Sequence, residues 1–497
     1  MVEMCNFGNS RFLFFIMISE KIKSYNKFTD LQIDLKKGEL SLKDLIEYYT
    51  ARIDELAHLN AFIEVFKLEA LAKAELIQDK INKGTAGKLA GMIIGLKDNI
   101  SYKGHQMTAS SKILKDYIAV YSATVVERIL AEDAIIIGRL NCDEFAMGAS
   151  NETSYFGPVK NFADERKVSG GSSGGSAVAV QADLCFASLA SDTGGSIRQP
   201  AAFCGVIGLK PTYARVSRYG VVAYASSFDQ VGPITKSVED AALILEVIAG
   251  KDAHDGTSSA ETVPNYSENL SFPAQKKIAY IKETLHSEGL DPEIKENVLQ
   301  QIAKLKADGH IVEPVSFEYL DFVVPTYYIL TAAEASSNLA RYDGVHYGYR
   351  SEFSTDLIST YKKSRSEGFG DEVKRRIMLG TFVLSAGYYD AYYSKAQKSR
   401  RLIKEKMDSI LEEFDFIITP TTPTPAFNIG EQVTDPVVMY LADIFTVGAS
   451  LAGLPAISLP SGKNNEGLPL GLQIIGKRFK ESELLAFSTY YSYLPKE

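Results

Sequence analysis

Apolar residues in the first part of the chain follow two spacings, one typical of helices and one typical of buried strands. Helical spacing predicts an amphipathic helix over 40–57, and a continuous apolar run predicts the first core strand over 89–95. A helix over 124–132 and a strand over 134–138 repeat this order. Such alternation is typical of a sheet that helices cover on both faces.

The alternation continues toward the C-terminus. Small residues predict a short helix over 176–181, and an apolar strand over 184–190 leads into a glycine-rich loop. A strand, a helix and a second strand follow over 277–314. The region 373–413 is helical in pattern and rich in tyrosine, and a strand over 416–418 comes after it. We therefore predict the α/β class, with a central mixed β-sheet covered by helices on both faces in a single large domain.

The N-terminus differs in pattern from the rest. An apolar run over 12–18 follows a lone arginine, but it is short for a signal core and lacks a small-residue cleavage site. We interpret 1–18 as a non-native or disordered extension, with Met17 as the natural first residue. Residues 19–497 contain no internal repeat and no low-complexity tract, so we expect them to form one domain.

The tyrosines near the middle of 373–413 raise a choice between two interpretations. Helical spacing brings them onto one stripe, which could face a partner protein or the core. We favour core packing for the members of this stripe: Tyr388, Tyr389, Tyr392 and Tyr393.

Composition narrows the function classes. The chain of 497 residues carries a net charge of −9, which argues against a broad basic surface for nucleic acid. No apolar run approaches the ~20 residues of a membrane helix, so we expect no membrane span. The cysteines are far apart and form no Cys-x-x-Cys pair, which predicts neither a zinc site nor disulfides but core packing in a reducing cytoplasm: Cys5, Cys142, Cys185 and Cys204.

Two glycine-serine loops carry the strongest sign of chemistry. They run Gly-Gly-Ser-Ser-Gly-Gly-Ser over 170–176 and Ser-Asp-Thr-Gly-Gly-Ser-Ile-Arg-Gln-Pro over 191–200. Glycine lets the backbone turn tightly and expose its N–H groups, while serine becomes a nucleophile once a base removes its proton. No histidine lies between positions 106 and 253, so no local Ser/His signature exists and we look to lysine as the base.

Lys97 ends the apolar run that predicts the first core strand and precedes a polar turn. Lowering the pKa of a lysine from about 10.4 to about 7 costs roughly 4–5 kcal/mol, which a dry, hydrogen-bonded pocket can supply. The alternative is a surface lysine beyond an edge strand, since most lysines are solvated. The residues alone leave both interpretations open.

Three motifs together resemble the Ser-Ser-Lys triad of the amidase signature family in order and spacing. They are Gly-Leu-Lys-Asp-Asn around Lys97, the first glycine-serine loop around Ser172, and the second around Ser196. The likeness runs from about residue 20 to the C-terminus and implies the amidase signature fold. Further stretches resemble the glutaminase subunits of tRNA-dependent amidotransferases: 144–148, 364–370, 373–376 and 387–393.

The resemblance implies a role for each member of the triad. Ser196 would attack the side-chain amide of glutamine, release ammonia and form a glutamyl ester. Neutral Lys97 would be the base, and the Ser172 hydroxyl would relay the proton between them. A non-proline cis peptide, as in the family, would hold Ser172.

The second loop would also stabilise the oxyanion. Backbone N–H groups of Thr193, Gly194, Gly195 and Ser196 are placed where a loop enters a helix, which suits a developing negative charge. The alternative is that the two glycines only turn the chain before a helix at Ile197.

Glutamine recognition needs groups for an α-carboxylate and an α-ammonium. The resemblance implies Arg376 and Asp443 for these roles, with Tyr327 contributing to the pocket. The alternatives are a solvated helical face for Arg376 and an ordinary helix position for Asp443.

The resemblance also implies two protein partners, the B and C subunits of such amidotransferases. The first would hold the misacylated tRNA, activate it with ATP and Mg²⁺ and receive the ammonia, while the second, which is small, would wrap this chain in a cytoplasmic heterotrimer. This chain would hold no metal and no cofactor. The product would be Gln-tRNA(Gln), with Asn-tRNA(Asn) left open.

Two other functions compete with this interpretation. A stand-alone amidase for small amides is the alternative enzyme. A non-catalytic scaffold is disfavoured because all three triad positions are filled.

Overall fold

The computed structural model describes residues 18–271, 274–431 and 436–494. Of the predicted N-terminal extension, only Ile18 lies within the described residues, and it is buried in the main core cluster. Cys5 and Met17 lie outside the described residues. Within them, no helix is long and apolar enough to cross a membrane.

Most of the described helices bury apolar residues in the core, and the short helices Gly174–Gln181 and Arg198–Cys204 are buried almost throughout. The α-helices are α1 Phe28–Lys37, α2 Leu42–Glu55, α3 Lys67–Lys83, α4 Thr124–Ala131, α5 Gly174–Gln181, α6 Arg198–Cys204, α7 Val238–Ile248, α8 Pro292–Ala307, α9 Leu320–Asn338, α10 Leu357–Gly368, α11 Asp371–Val383, α12 Lys395–Glu413, α13 Pro436–Leu441, α14 Val447–Ala452 and α15 Glu481–Ser492.

The described strands join into one sheet. They are β1 Phe62–Val65, β2 Ile93–Lys97, β3 Ile135–Leu140, β4 Ala187–Asp192, β5 Ile207–Lys210, β6 Gln230–Thr235, β7 Lys277–Ile281, β8 Ile311–Val315, β9 Phe416–Pro420, β10 Ala456–Lys463 and β11 Pro469–Ile475. Their order is β1-β3-β2-β4-β6-β5-β10-β11-β9-β7-β8. The pairs β3–β2, β2–β4, β9–β7 and β7–β8 are parallel, and the other pairs are antiparallel.

Alternate strand residues face two separate helical layers. On β7, Ile278 belongs to the core cluster on one face and Ala279 to the cluster on the other. Ile418 and Ile417 on β9 divide in the same way. This two-sided burial confirms the predicted α/β class with a mixed sheet covered on both faces.

Local signals place the early elements close to their predicted positions. Helix α2 begins after Ser41, whose side chain accepts from the Asp44 N–H in a capping box, and its apolar side is buried. Strand β2 begins four residues later than predicted and includes Lys97. The half-buried strand β1 was not predicted, because its four residues are too few to show an alternation of apolar and polar positions and they lie between charged helices.

The tyrosine-rich region departs from prediction. Helix α11 ends at Val383, the chain turns at Gly387 with φ +87°, and a π-helix over Asp390–Ser394 leads into α12. Tyr388 and Tyr389 are each 45% exposed and Tyr392 is 40% exposed, so the core-packing interpretation is wrong for these three. Tyr393 is partly buried and packs against a core cluster, as predicted. The break removes the continuous helix that would have turned one stripe inward, and the rings pack on one another instead.

The described cysteines match the prediction of core packing. Cys142, Cys185 and Cys204 are buried free thiols. Burial raises the pKa of the Cys142 and Cys185 thiols to about 12, so both stay protonated and behave as small apolar groups.

Candidate active site

Lys97 lies at the carboxyl end of β2 with no exposed surface, so the surface-lysine interpretation is wrong. Its Nζ lies 2.7 Å from Ser172 Oγ, 2.8 Å from Ser173 Oγ and 3.0 Å from Ser191 Oγ. Parallel pairing of β2 with β4 brings Ser191 alongside. Burial lowers the pKa of Lys97 to about 8, which makes a neutral amine accessible near neutral pH.

The loop that carries Ser172 has the predicted backbone. The Gly171–Ser172 peptide is cis. A Cβ at Gly171 would lie 2.1 Å from Asp143 Oδ2, and one at Gly174 would lie 2.1 Å from Ser169 Oγ, so only glycine fits at either place. Tight packing on both sides therefore fixes the Ser172 hydroxyl against Lys97.

Ser196 lies just before α6 and is 8% exposed. Its carbonyl oxygen accepts from the Ser173 N–H at 3.2 Å, which brings the two glycine-serine loops into contact. Across the described chain, the Ser196 hydroxyl makes no hydrogen bond. The relay thus has a direct Lys97–Ser172 contact, and the transfer from Ser196 to Ser172 stays a prediction.

The ends of the second loop are tied down by buried polar groups. Arg198 Nη2 donates to Asp192 Oδ1 and Arg198 Nε donates to Asp192 Oδ2, each at 2.9 Å. Both side chains are fully buried. Asp192 Oδ2 also accepts from the Ile197 N–H at 3.2 Å. Thr193 Oγ1 donates to Asp229 Oδ1 at 2.7 Å. The loop is thus held on both sides of the predicted oxyanion hole.

The two glycines of this loop lie in close contact with neighbouring side chains. A Cβ at Gly194 would lie 2.5 Å from the Tyr327 hydroxyl. Gly195 has φ +156°, and a Cβ there would lie 2.3 Å from Thr446 Oγ1. In the part of the chain that the structure describes, the N–H groups of Gly194, Gly195 and Ser196 have no acceptor. Unused N–H groups beside a nucleophile can bind a developing oxyanion.

Arg376 and Asp443, predicted from the resemblance, converge on one aromatic side chain. The Arg376 guanidinium is 5.1 Å from the centroid of the Tyr328 ring, and the Tyr328 hydroxyl donates to Asp443 Oδ2 at 3.1 Å. Arg376 is 3% exposed and Asp443 is 7% exposed, and Asp443 lies in a turn. The solvated-face and helix-position alternatives are therefore wrong.

The two charged groups differ in what surrounds them. Arg376 Nε donates to Glu372 Oε1 at 2.8 Å and Nη1 donates to the Tyr224 hydroxyl at 2.7 Å. Burial raises the pKa of Asp443 to about 7, since only the Tyr328 hydroxyl and distant cations offset its desolvation. An ammonium group placed beside Asp443 would restore its negative charge. Arg376 and Asp443 thus place a guanidinium and a carboxyl group against the same aromatic side chain.

Several residues of the site were missed at the level of sequence. They contact the predicted residues directly: Ser173, Ser191, Asp143, Asp229, Tyr224, Tyr328 and Glu372. Ser173 and Ser191 were visible inside the two loops, but only the tertiary structure shows that both contact Lys97. Among the described residues, no group of three or more His, Cys, Asp or Glu is arranged to hold a metal ion.

Known proteins share this fold and these motifs. The family model for Amidase matches residues 44–485. The chain is 51% identical over 464 residues to the glutamyl-tRNA(Gln) amidotransferase A subunit of Prosthecochloris aestuarii, covering 93% of this chain and 97% of the relative. It is 54% identical over 457 residues to the protein of the same name from Geobacillus thermodenitrificans, covering 91% and 94%.

Solved structures agree with this relationship. The crystal structure of the glutamyl-tRNA(Gln) amidotransferase A subunit from Thermotoga maritima superposes with a TM-score of 0.73 at 40% identity, covering 91% of this chain and 94% of that one. The peptide amidase of Stenotrophomonas maltophilia superposes with a TM-score of 0.79 at 29% identity, covering 94% and 96%. The chain therefore belongs to the amidase family and, within it, to the family of glutamyl-tRNA(Gln) amidotransferase A subunits.

Proposed function

We propose that this protein is the glutaminase subunit of a tRNA-dependent amidotransferase. The observation that carries the proposal is the fully buried Lys97 amine, which lies 2.7 Å from Ser172 Oγ at the end of a core strand. A lysine whose pKa is lowered to about 8 is a competent base for a serine nucleophile. The identity to amidotransferase A subunits supports glutamine as the amide that is cleaved.

The first half of the reaction forms an ester. Ser196 Oγ attacks the amide carbon of the glutamine side chain, its proton passes to Ser172 Oγ, and the proton of Ser172 passes to neutral Lys97. The oxyanion binds the N–H groups of the second loop. Protonated Lys97 then returns the proton through Ser172 to the leaving nitrogen, the C–N bond breaks, and ammonia departs.

The second half regenerates the enzyme. A water molecule gives its proton through the same hydroxyl to Lys97 and attacks the glutamyl ester. Collapse of the tetrahedral intermediate breaks the C–O bond, and the proton returns to Ser196 Oγ. The reaction releases glutamate and regenerates the Ser196 hydroxyl. Because Lys97 has given up its proton again, it is neutral at the end of each turnover.

Substrate selection follows from the pocket. The Arg376 guanidinium would bind the α-carboxylate of glutamine, and the Asp443 carboxylate would bind its α-ammonium. Tyr327 packs its hydroxyl against Gly194 and so forms the wall between this pocket and the oxyanion loop. A substrate that lacks the α-groups would lose both of these contacts, although Arg376 would keep its ion pair with Glu372, and that loss disfavours simple amides.

The ammonia would be used by the B subunit of a cytoplasmic heterotrimer that also contains a C subunit. In this proposal the B subunit holds the misacylated tRNA and activates it with ATP and Mg²⁺, the C subunit wraps this chain, and this chain itself works without a metal or cofactor. The net charge of −9 fits a tRNA-binding surface that lies mainly on the B subunit. Glu-tRNA(Gln) is the proposed substrate of the complex, with Asp-tRNA(Asn) a further candidate.

A second candidate is hydrolysis of small amides by the chain alone. It is favoured by one observation, the closer superposition on peptide amidase, with a TM-score of 0.79 against 0.73 for the Thermotoga maritima protein. The proposed contacts of Arg376 and Asp443 with the α-groups of glutamine argue against it. Full turnover of simple amides by the isolated chain, without assembly on coexpression, would favour this candidate.

The test uses the complex formed by coexpression with the two partner proteins. We expect Ser196→Ala to abolish glutamine-dependent transamidation and to leave transamidation with added ammonium chloride at the wild-type rate, because only the ammonia source is lost. A glutamine analogue such as 6-diazo-5-oxo-norleucine should label the Ser196 peptide in the wild type, as located by peptide mass. Loss of the ammonia-dependent reaction as well would show a structural defect, and labelling of another residue would contradict the assignment.

A further inference from the structure

A buried carboxylate outside the triad lies between the two halves of the site. Glu144 is 2% exposed. Its Oε2 accepts from the Gly370 N–H at 2.8 Å, and its Oε1 accepts from the Ser111 hydroxyl. Burial raises the pKa of Glu144 to about 7, so keeping its charge depends on these donors.

Gly370 is the residue before α11, the helix that carries Arg376. A Cβ at Gly370 would lie 2.4 Å from Glu144 Oε2, so a side chain there would push the two elements apart. A carboxylate at the N-terminus of a helix stabilises the helix start through the free N–H groups and the helix dipole. Glu144 therefore anchors the beginning of α11 from outside the helix.

The residue before Glu144 contacts the catalytic loop. The Asp143 N–H donates to the Ser172 carbonyl at 3.0 Å. The Asp143 carboxylate fills the space that a side chain at Gly171 would need, and it accepts from the Asn151 N–H at 3.0 Å. Two consecutive residues thus touch the loop that carries Ser172 and the helix that carries Arg376.

We propose that Glu144 is a positioning residue that sets the place of Arg376 relative to the triad and thereby the affinity for glutamine. The inference rests on the proposed function. Arg376 follows Gly370 by six residues, which is about 9 Å along a helix, so a shift of the helix start moves the guanidinium with it. The Ser172–Lys97 pair is held by separate contacts and stays in place.

The central variant is Glu144→Gln, which keeps the shape and removes the charge. A charge-assisted hydrogen bond of this kind is worth about a tenfold change in an equilibrium constant. We expect the KM for glutamine to rise about tenfold while kcat changes less than twofold. We also expect an unchanged rate of Ser196 labelling by a fluorophosphonate, since that probe carries no α-carboxylate and no α-ammonium.

The chain offers a matched control in the same cleft of about 270 Å³, which Glu144 and Glu367 both line. Glu367 accepts from the Tyr349 hydroxyl at 2.7 Å and the Ser351 hydroxyl at 2.9 Å. Glu367→Gln removes a carboxylate of similar chemistry without touching the start of α11, so its KM should equal the wild-type value. A second variant, Glu144→Asp, keeps the charge and should recover part of the lost affinity.

The outcomes separate the inference from the function on which it rests. A wild-type complex that does not hydrolyse glutamine would refute the proposed function and the inference with it. Normal wild-type hydrolysis with an unchanged KM in Glu144→Gln would refute the inference alone. Equal falls of kcat and of fluorophosphonate labelling would also overturn it, because they would show a general structural loss.

Discussion

At the scale of single residues, the chemistry of this protein depends on the groups that surround the buried amine of Lys97. Three serine hydroxyls surround its amine at 2.7–3.0 Å, and no carboxylate of the described chain pairs with it. Hydroxyls satisfy the hydrogen-bonding groups of lysine but stabilise its positive charge less than an ion pair would. The desolvated amine therefore releases its proton more readily than a surface lysine.

The lowered pKa of Lys97 predicts the pH dependence of glutamine hydrolysis. Between pH 7 and pH 8, Lys97 is mostly protonated and cannot accept a proton from Ser172, so kcat/KM should rise by up to about tenfold per pH unit. Below pH 7, protonation of Asp443 should make the rise steeper. Above the Lys97 pKa of about 8 the amine is neutral, and this limb should level off. A steady-state profile of kcat/KM between pH 6 and pH 9.5 measures it. A rate that is constant across this range, or that falls between pH 7 and pH 8, would contradict the role of Lys97.

At the scale of elements, the loop between β4 and α6 is held by a buried ion pair rather than by an apolar core. Asp192 ends the strand and Arg198 begins the helix, so the bidentate pair closes the turn that carries Ser196. Arg198 Nη1 also donates to the Thr446 carbonyl at 2.8 Å and to Gln473 Oε1 at 2.6 Å. These contacts tie the loop that carries Ser196 to the sheet and to the loop before α14.

Removing the arginine should be costly because Asp192 would keep a buried charge without its partner. We expect Arg198→Met to lower the free energy of unfolding by about 3–5 kcal/mol. Urea denaturation followed by circular dichroism measures this. The matched control is Arg401→Met, which removes an arginine that is 80% exposed and pairs with Glu405. Its effect should stay below about 1 kcal/mol. Equal effects of the two variants would show that burial of the Asp192–Arg198 pair carries no special weight.

At the scale of the whole molecule, the described strands form one continuous sheet with a helical layer on each face. Neighbouring residues of β7 and β9 enter different layers, so neither layer can lose its packing without exposing the same strands. The two core clusters are therefore coupled through the sheet itself.

This coupling predicts one cooperative unfolding transition for the isolated chain. Far-UV circular dichroism reports the helices and the sheet, while tyrosine fluorescence is available because the chain has 27 tyrosines and no tryptophan. The two signals should give coincident midpoints during urea denaturation. Separate midpoints would show that one helical layer unfolds before the other, and the coupling through the sheet would then be refuted.

Much of the architecture follows from local pattern. The apolar spacing predicted α2, α4 and the unit formed by β7, α8 and β8 because helix and strand periods depend on neighbouring residues. Two glycine-serine loops and one strand-end lysine likewise indicated candidate positions, and the resemblance to the amidase signature family identified them as a predicted triad.

What local pattern left open depended on contacts between distant segments. Whether Lys97 was buried, and whether Arg376 faced solvent, could be decided only by the elements that pack over them. Tyr388 is exposed because the chain is broken between α11 and α12. Glu144 contacts Gly370 because the start of α11 packs on a loop more than 200 residues earlier. Periodicity in the sequence determines which side of an element is apolar. Which elements pack against each other depends on the free energy of the whole folded chain, so only the tertiary structure shows it.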